Sequence, residues 1–208
     1  LENAKRVDKY RQFILTLPPK YQSYLLSSLL IESSIHTNTN GQFSAYFKKL
    51  GGNNGIDLKR ITSKIILKMP IFNENKCKTV ISRKNTNEWI KTIKDLDVVY
   101  YDPPYNKHPY HIYYFLLDII NDWDTSQEIP STYRGHPTDW VKSEYNSSTH
   151  ALKAFDNLIK NTKSKHIVVS YNNDGIIPIV ELEKMFKKYG KLTKKQLEHK
   201  TYNKIQNF

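Results

Sequence analysis

Apolar positions along the chain change period three times, and the changes divide it into elements. Tyr10, Phe13, Ile14 and Leu17 recur at helical spacing until Pro18-Pro19 interrupts them. Leu25, Leu26, Leu29 and Leu30 then resume the period between Tyr21 and Ile31, so residues 1–35 are predicted to form a helical hairpin. The Asn- and Thr-rich run 37–41 is a turn by composition, and Phe43, Tyr46 and Phe47 predict a short amphipathic helix after it. Thr79–Ser82 reads as a short strand, and Asn85 as the cap of a helix opening at Thr86. The β-branched and aromatic run Asp97–Tyr101 reads as a strand. It ends at Asp102-Pro103-Pro104-Tyr105-Asn106, because two successive prolines cannot donate to a sheet ladder. Tyr110–Trp123 predicts an apolar helix packed on the sheet.

Farther on, Leu152, Phe155, Leu158 and Ile159 mark a helix over 151–163. His166–Tyr171 is a second apolar strand running into the polar turn Asn172-Asn173-Asp174-Gly175, and Ile179–Tyr189 is a last helix stopped by Gly190. Strand, helix, strand in that order is a βαβ crossover. The two strands should therefore be parallel and near neighbours, with both polar ends opening on the same edge of the sheet. Ligands of open α/β sheets bind just outside such carboxyl ends. Residues 124–148 lack periodicity. A loop of that length beside a site predicts a lid or DNA clamp, with Arg134 and Lys142 as phosphate contacts.

Composition adds two constraints. The 208 residues carry a formal charge of +12, which suits a polyanionic partner, although codon bias toward Lys and Asn accounts for part of it. Cys77 is the one cysteine, so an internal disulfide is excluded and a zinc cluster is not expected. No run approaches the roughly 20 apolar residues of a membrane span, and a soluble cytoplasmic protein is expected. Gly51-Gly52-Asn53-Asn54-Gly55 lacks the preceding strand that a nucleotide-binding glycine loop requires.

The chemistry lies at the end of the first strand. Asp102 offers a carboxylate, Pro103 a carbonyl oxygen, and Tyr105 an aromatic face on which an extruded base would gain roughly 1–3 kcal/mol by stacking. Two acceptors on the two N–H groups of an exocyclic amine return its delocalised lone pair to nitrogen, which is the logic of an enzyme that flips its base out of the duplex. Asp102-Pro103-Pro104-Tyr105 after an apolar strand, extended by Asn106 and Tyr110, resembles the catalytic motif of the DNA N(6)-adenine methyltransferases, in their Dam-like class-alpha branch. Ser170-Tyr171-Asn172-Asn173-Asp174-Gly175-Ile176 resembles the second signature of that family, and Asn38-Thr39-Asn40-Gly41-Gln42-Phe43-Ser44-Ala45-Tyr46 a segment of one of its branches.

The resemblance implies an α/β fold: a partial Rossmann-like methyltransferase sheet with helices in residues 76–208, behind a mainly helical, basic region 1–75 engaged in DNA target recognition. It implies S-adenosylmethionine as methyl donor, double-stranded DNA as partner, Asp102 to Tyr105 as catalytic residues, Asn106, Tyr171 and Asn172 around the target base, and Asn85 and Asn87 beside the cofactor. The family's Phe-x-Gly-x-Gly cofactor loop occurs nowhere in the sequence. The chain is therefore expected to be an incomplete portion of a restriction-modification enzyme, its donor site supplied by an upstream segment or a separate chain. The competing expectation is a non-catalytic DNA-binding subunit or remnant. A third expectation is a methyltransferase acting on glutamine or RNA: the glutamine enzymes use Asn where this chain has Asp102, and RNA is disfavoured by the resemblance alone.

Overall fold

The computed structural model describes the chain except for residues 53, 54, 56, 75, 76, 125, 127, 129, 133, 134, 136–141 and 199–208. It divides into two compact units: Leu1–Ser82 with His108–Lys142, and Arg83–Lys107 with the described residues from Ser143 onward.

The first unit is helical. Helices α1 (Glu2–Leu15) and α2 (Pro19–Ile35) flank the proline pair, with Pro19 in the first turn of α2, where its missing N–H costs nothing. A short helix α3 (Leu58–Thr62) follows. The later helix of this unit spans Tyr110–Asp122. Its Ile120 is buried with Ile14, Leu29 and Ile65, surrounded by Val7, Tyr10, Leu25, Leu30, Leu67 and Leu116. Its period was legible, and within this unit its burial partners come from the amino-terminal helices and the segment around Ile65.

Two arginines close helix ends in this unit. Arg11, 5% exposed, donates through Nε to the Ile120 carbonyl (2.8 Å) and through a terminal nitrogen to that of Asn121 (3.0 Å), and lies over the Trp123 ring. Arg60 donates to the carbonyl of Ile35 at the end of α2 and to those of Thr37 and Thr39 beyond it, and pairs with Asp57. The last carbonyls of a helix have no partner within it, and a guanidinium fork is well shaped to supply one. Lys68 likewise pairs at 2.7 Å with the buried Glu32.

Two predicted elements are absent. The helix expected from Phe43 is irregular chain, because Asn38 captures the backbone instead. Its side chain donates to the Phe47 carbonyl (2.7 Å) and accepts from the Gly51 N–H (3.2 Å), and Phe47 N–H donates to the Asn38 carbonyl (2.9 Å). The strand expected at Thr79–Ser82 has no ladder among the described residues, and Val80 and Ile81 stand exposed. A β-branched pair without a neighbouring strand does not make a strand.

The second unit begins with α4 (Thr86–Trp89), capped by Asn85, whose side chain accepts from the backbone of Asn87 and Glu88. Then come β1 (Leu96–Tyr101), α6 (Ala151–Asn161), β2 (Ser164–Val169) and α7 (Ile179–Phe186), with the Tyr110–Asp122 helix of the other unit counted as α5. As the crossover pattern required, β1 and β2 pair in parallel, Val99 opposite Ile167 and Tyr101 opposite Val169. One face of this pair turns Val99, Tyr101, Ile167 and Val169 toward α6 and α7, around Phe155, Leu158, Leu182 and Met185. Phe155 has no exposed surface and meets the rings of Tyr101, Tyr145 and Phe186 edge to face. On the opposite face Val98, Tyr100 and Val168 are 57%, 61% and 49% exposed. The fold is thus mixed helix and strand with a small parallel sheet.

Candidate active site

Parallel pairing brings the ends of β1 and β2 side by side. The ladder runs one bond past the strands, Ser170 N–H donating to the Tyr101 carbonyl (3.0 Å), so Asp102 and Tyr171 leave the sheet at the same edge. Asp102 is exposed, Pro103 buried, and Pro104 and Tyr105 half-buried. Two consecutive prolines fix φ along this exit and contribute no N–H donor, only carbonyl acceptors. The arrangement presents a carboxylate and an aromatic ring to solvent from a backbone with little freedom.

The second loop then closes on the first. Ile176 N–H donates to the Tyr105 carbonyl (2.9 Å), and the Tyr171 hydroxyl accepts from Ile177 N–H (3.0 Å). The Tyr105 and Tyr171 rings meet edge to face, with centroids 6.1 Å apart and planes at 74°. Burial raises the Tyr171 phenol above its ordinary value, partly opposed by the Ile177 hydrogen bond. Asn172 is exposed, but its side chain accepts from Asp174 N–H (3.0 Å) and its carbonyl from Gly175 N–H (3.0 Å), so it builds the turn.

A third support comes from Asn146, in a 3-10 turn over Glu144–Asn146. It is 7% exposed; its amide donates to the Asn106 carbonyl (2.9 Å) and its oxygen accepts from Ser143 N–H (3.2 Å). The sequence reading did not single out Asn146. The signal was the Ser-x-x-Asn spacing of a reciprocal cap in a stretch taken as loop.

The remaining predicted positions separate from this edge. Asn85 caps α4. The Asn87 amide donates to the Ala154 carbonyl (2.8 Å), and its oxygen accepts from the Tyr145 hydroxyl (2.7 Å), whose pKa burial pushes well above the ordinary phenol value. Both side chains already have partners inside the fold. Lys142 is exposed at the end of the other unit, and Arg134 lies outside the described residues.

A family model, D12 class N6 adenine-specific DNA methyltransferase, matches residues 1–203. The chain belongs to this family. Among curated relatives, the modification methylase StsI of Streptococcus sanguinis is 32% identical over 202 residues, covering 91% of this chain and 29% of the relative. The type II methyltransferases M.NlaIII of Neisseria lactamica and M.CviAII of Paramecium bursaria Chlorella virus 1 are 25% and 27% identical, each covering 97% of this chain. The chain spans 59% of the length of each of these two, so it corresponds to part of every relative named here. No solved structure matches it. Among the described residues, no helix of this family member is long and apolar enough to cross a membrane.

Proposed function

We propose that the chain is the adenine-handling portion of a restriction-modification enzyme that methylates the exocyclic amine of adenine in a short sequence of double-stranded DNA. The observation that carries this reading is the shared edge: Asp102-Pro103-Pro104-Tyr105 leaves β1 where Tyr171 leaves β2, and the two tyrosine rings touch.

The steps assigned to this chain concern the base. Tyr105 stacks against the extruded adenine. The Asp102 carboxylate accepts one N–H of the amine and the Pro103 carbonyl accepts the other, which draws the lone pair out of the ring and onto nitrogen as a nucleophile. No side chain of shifted pKa is needed as base, since the proton becomes acidic once nitrogen is cationic. Asn106 and Asn172 border the base pocket, and Lys142 and Arg134 meet phosphate. Residues 1–75 contribute to target recognition, whereas Arg60 and Lys68 in that region already serve internal partners.

Methyltransferases generally use S-adenosylmethionine. The two residues expected beside it do not fit that role: Asn85 and Asn87 are engaged elsewhere, and no glycine-rich loop follows either described strand. The donor site therefore comes from polypeptide outside this sequence, in the same protein or a partner chain. The rest of the sheet, in a Rossmann-like order, belongs to that same portion, and the enzyme works in the cytoplasm, where its DNA lies.

The test is transfer of labelled methyl from S-adenosylmethionine to DNA from a strain lacking adenine methylation, with the donor-site polypeptide supplied. Label should appear in N6-methyladenine, and Asp102→Ala should abolish it while DNA binding is retained. Label in another base, or unchanged transfer by the Asp102→Ala protein, overturns the assignment. Calorimetric titration with S-adenosylmethionine checks the division of labour: saturable one-to-one binding by this chain alone would refute it.

A further inference from the structure

We infer that Gly175 is a positioning residue for Tyr105, acting through Tyr171: the absence of a side chain at Gly175 lets the Tyr171 ring lie against the loop backbone, and that ring is the wall that fixes Tyr105. The inference rests on the reading of Tyr105 as the stacking residue.

A Cβ built on Gly175 would stand 2.3 Å from Cε1 of Tyr171, 2.7 Å from its Cζ and 2.9 Å from its hydroxyl oxygen. Two of these contacts are with ring carbons and the third with the hydroxyl they carry, so the whole rigid ring has to move to relieve them. The requirement is one of space, since the backbone at Gly175 is not among the positive-φ positions. In the place so cleared, the hydroxyl accepts from Ile177 N–H, two residues beyond the glycine, and the ring forms its T-shaped contact with Tyr105. One residue farther back, Ile176 N–H holds the Tyr105 carbonyl. A single turn, 171–177, thereby fixes both the backbone and the ring of Tyr105. A phenol held by a hydrogen bond at its hydroxyl and by contact with the Tyr105 ring is a support.

The order of dependence is testable. An alanine at Gly175 displaces Tyr171, and that ring carries the displacement to the ring of Tyr105. Once Tyr171 is gone, the alanine has nothing to push. The two substitutions are predicted to be non-additive, as expected of residues in direct contact.

The experiment uses the chain labelled with 3-fluorotyrosine, the Tyr105 fluorine resonance being assigned by its loss in Tyr105→Phe. Gly175→Ala and Tyr171→Leu should each shift that resonance by more than its linewidth, and Gly175→Ala added to Tyr171→Leu should shift it no further. Tyr171→Phe, which keeps the ring and deletes the hydroxyl, should give a smaller shift in the same direction. An unmoved resonance in Gly175→Ala, or additive shifts in the double variant, overturns the inference. Should Gly175→Ala fail to fold, the Tyr171→Phe and Tyr171→Leu comparison decides: a Tyr105 resonance at its parent position in both refutes the wall.

A second arm reads the reaction. In the methylation assay with the donor-site polypeptide present, Gly175→Ala should lower kcat tenfold to a hundredfold, the range for a misplaced positioning group, with little change in KM for DNA. A fluorine shift without loss of kcat leaves the wall standing and removes Tyr105 from the chemistry, so the two failures are distinguishable.

Discussion

Replacing Asn146 by alanine tests whether the loop after β1 is held from outside the motif. The substitution deletes two hydrogen bonds: the amide to the Asn106 carbonyl at 2.9 Å and the side-chain oxygen's acceptance of Ser143 N–H at 3.2 Å. Each is worth about 1 kcal/mol net, and a carbonyl or N–H left without its partner at a buried position raises the cost, so the sum is about 2–3 kcal/mol. Most of this should be felt locally, as opening of residues 101–107. Hydrogen exchange read by mass spectrometry should then accelerate roughly a hundredfold there, since each 1.4 kcal/mol is a factor of ten. Asn146→Asp separates the two bonds. It keeps the acceptor for Ser143 but turns an anionic oxygen toward the Asn106 carbonyl, so the carboxyl is favoured in its protonated form when folded. Its folded pKa is raised above the unfolded value of about 3.9. Protection in this variant should be greatest below that value and lost as pH rises through the folded pKa. If Asn146→Ala leaves exchange in 101–107 within about threefold of the parent, a change of some 0.7 kcal/mol, the loop is not held by this amide.

Phe155→Ala should destabilise the second unit by about 3–5 kcal/mol in urea titration, because a fully buried ring touching three others leaves a cavity that cannot collapse. Burial raises the phenol pKa of Tyr101, Tyr145 and Tyr171. Their contribution is therefore fully present below the unfolded value of about 10 and lost as pH climbs above it; a thermal-melt series should show alkaline destabilisation, reduced in Tyr145→Phe. DNA affinity should fall with rising salt, and Lys142→Gln should lower the slope of log K against log salt by about one while leaving sequence preference unchanged.

The parts of the fold visible in the sequence were those where local pattern and tertiary packing agree. The strand ending at Asp102-Pro103 and the helix–strand pair of α6 and β2 follow from period and proline alone, and together they dictate the shared edge. Misread segments are those whose outcome depends on a distant partner. Val80 and Ile81 have the composition of a strand, but a strand exists only with a neighbour. Phe43 and Phe47 have helical spacing, but Asn38 competes for the same backbone. The period of α5 identifies its apolar positions without naming what they pack on. At the candidate site, the position of Asp102 and Tyr105 at the strand end was readable because two prolines mark it in one short stretch. Asn146 and the steric demand at Gly175 were not: Asn146 serves Asn106, 40 positions away, and the demand at Gly175 depends on where the Tyr171 ring lies within the folded turn.

The outward face of the sheet bears on how this chain behaves in a test tube. A parallel pair is ordinarily covered on both sides, yet Val98, Tyr100 and Val168 stand in water. Neither strand has a further ladder partner among the described residues. Two open rims beside a greasy plate are an invitation to stick to copies of itself. Preparations should therefore turn cloudy with concentration, and lysines at Val98 and Val168 should keep them clear without touching the turn that carries Tyr171.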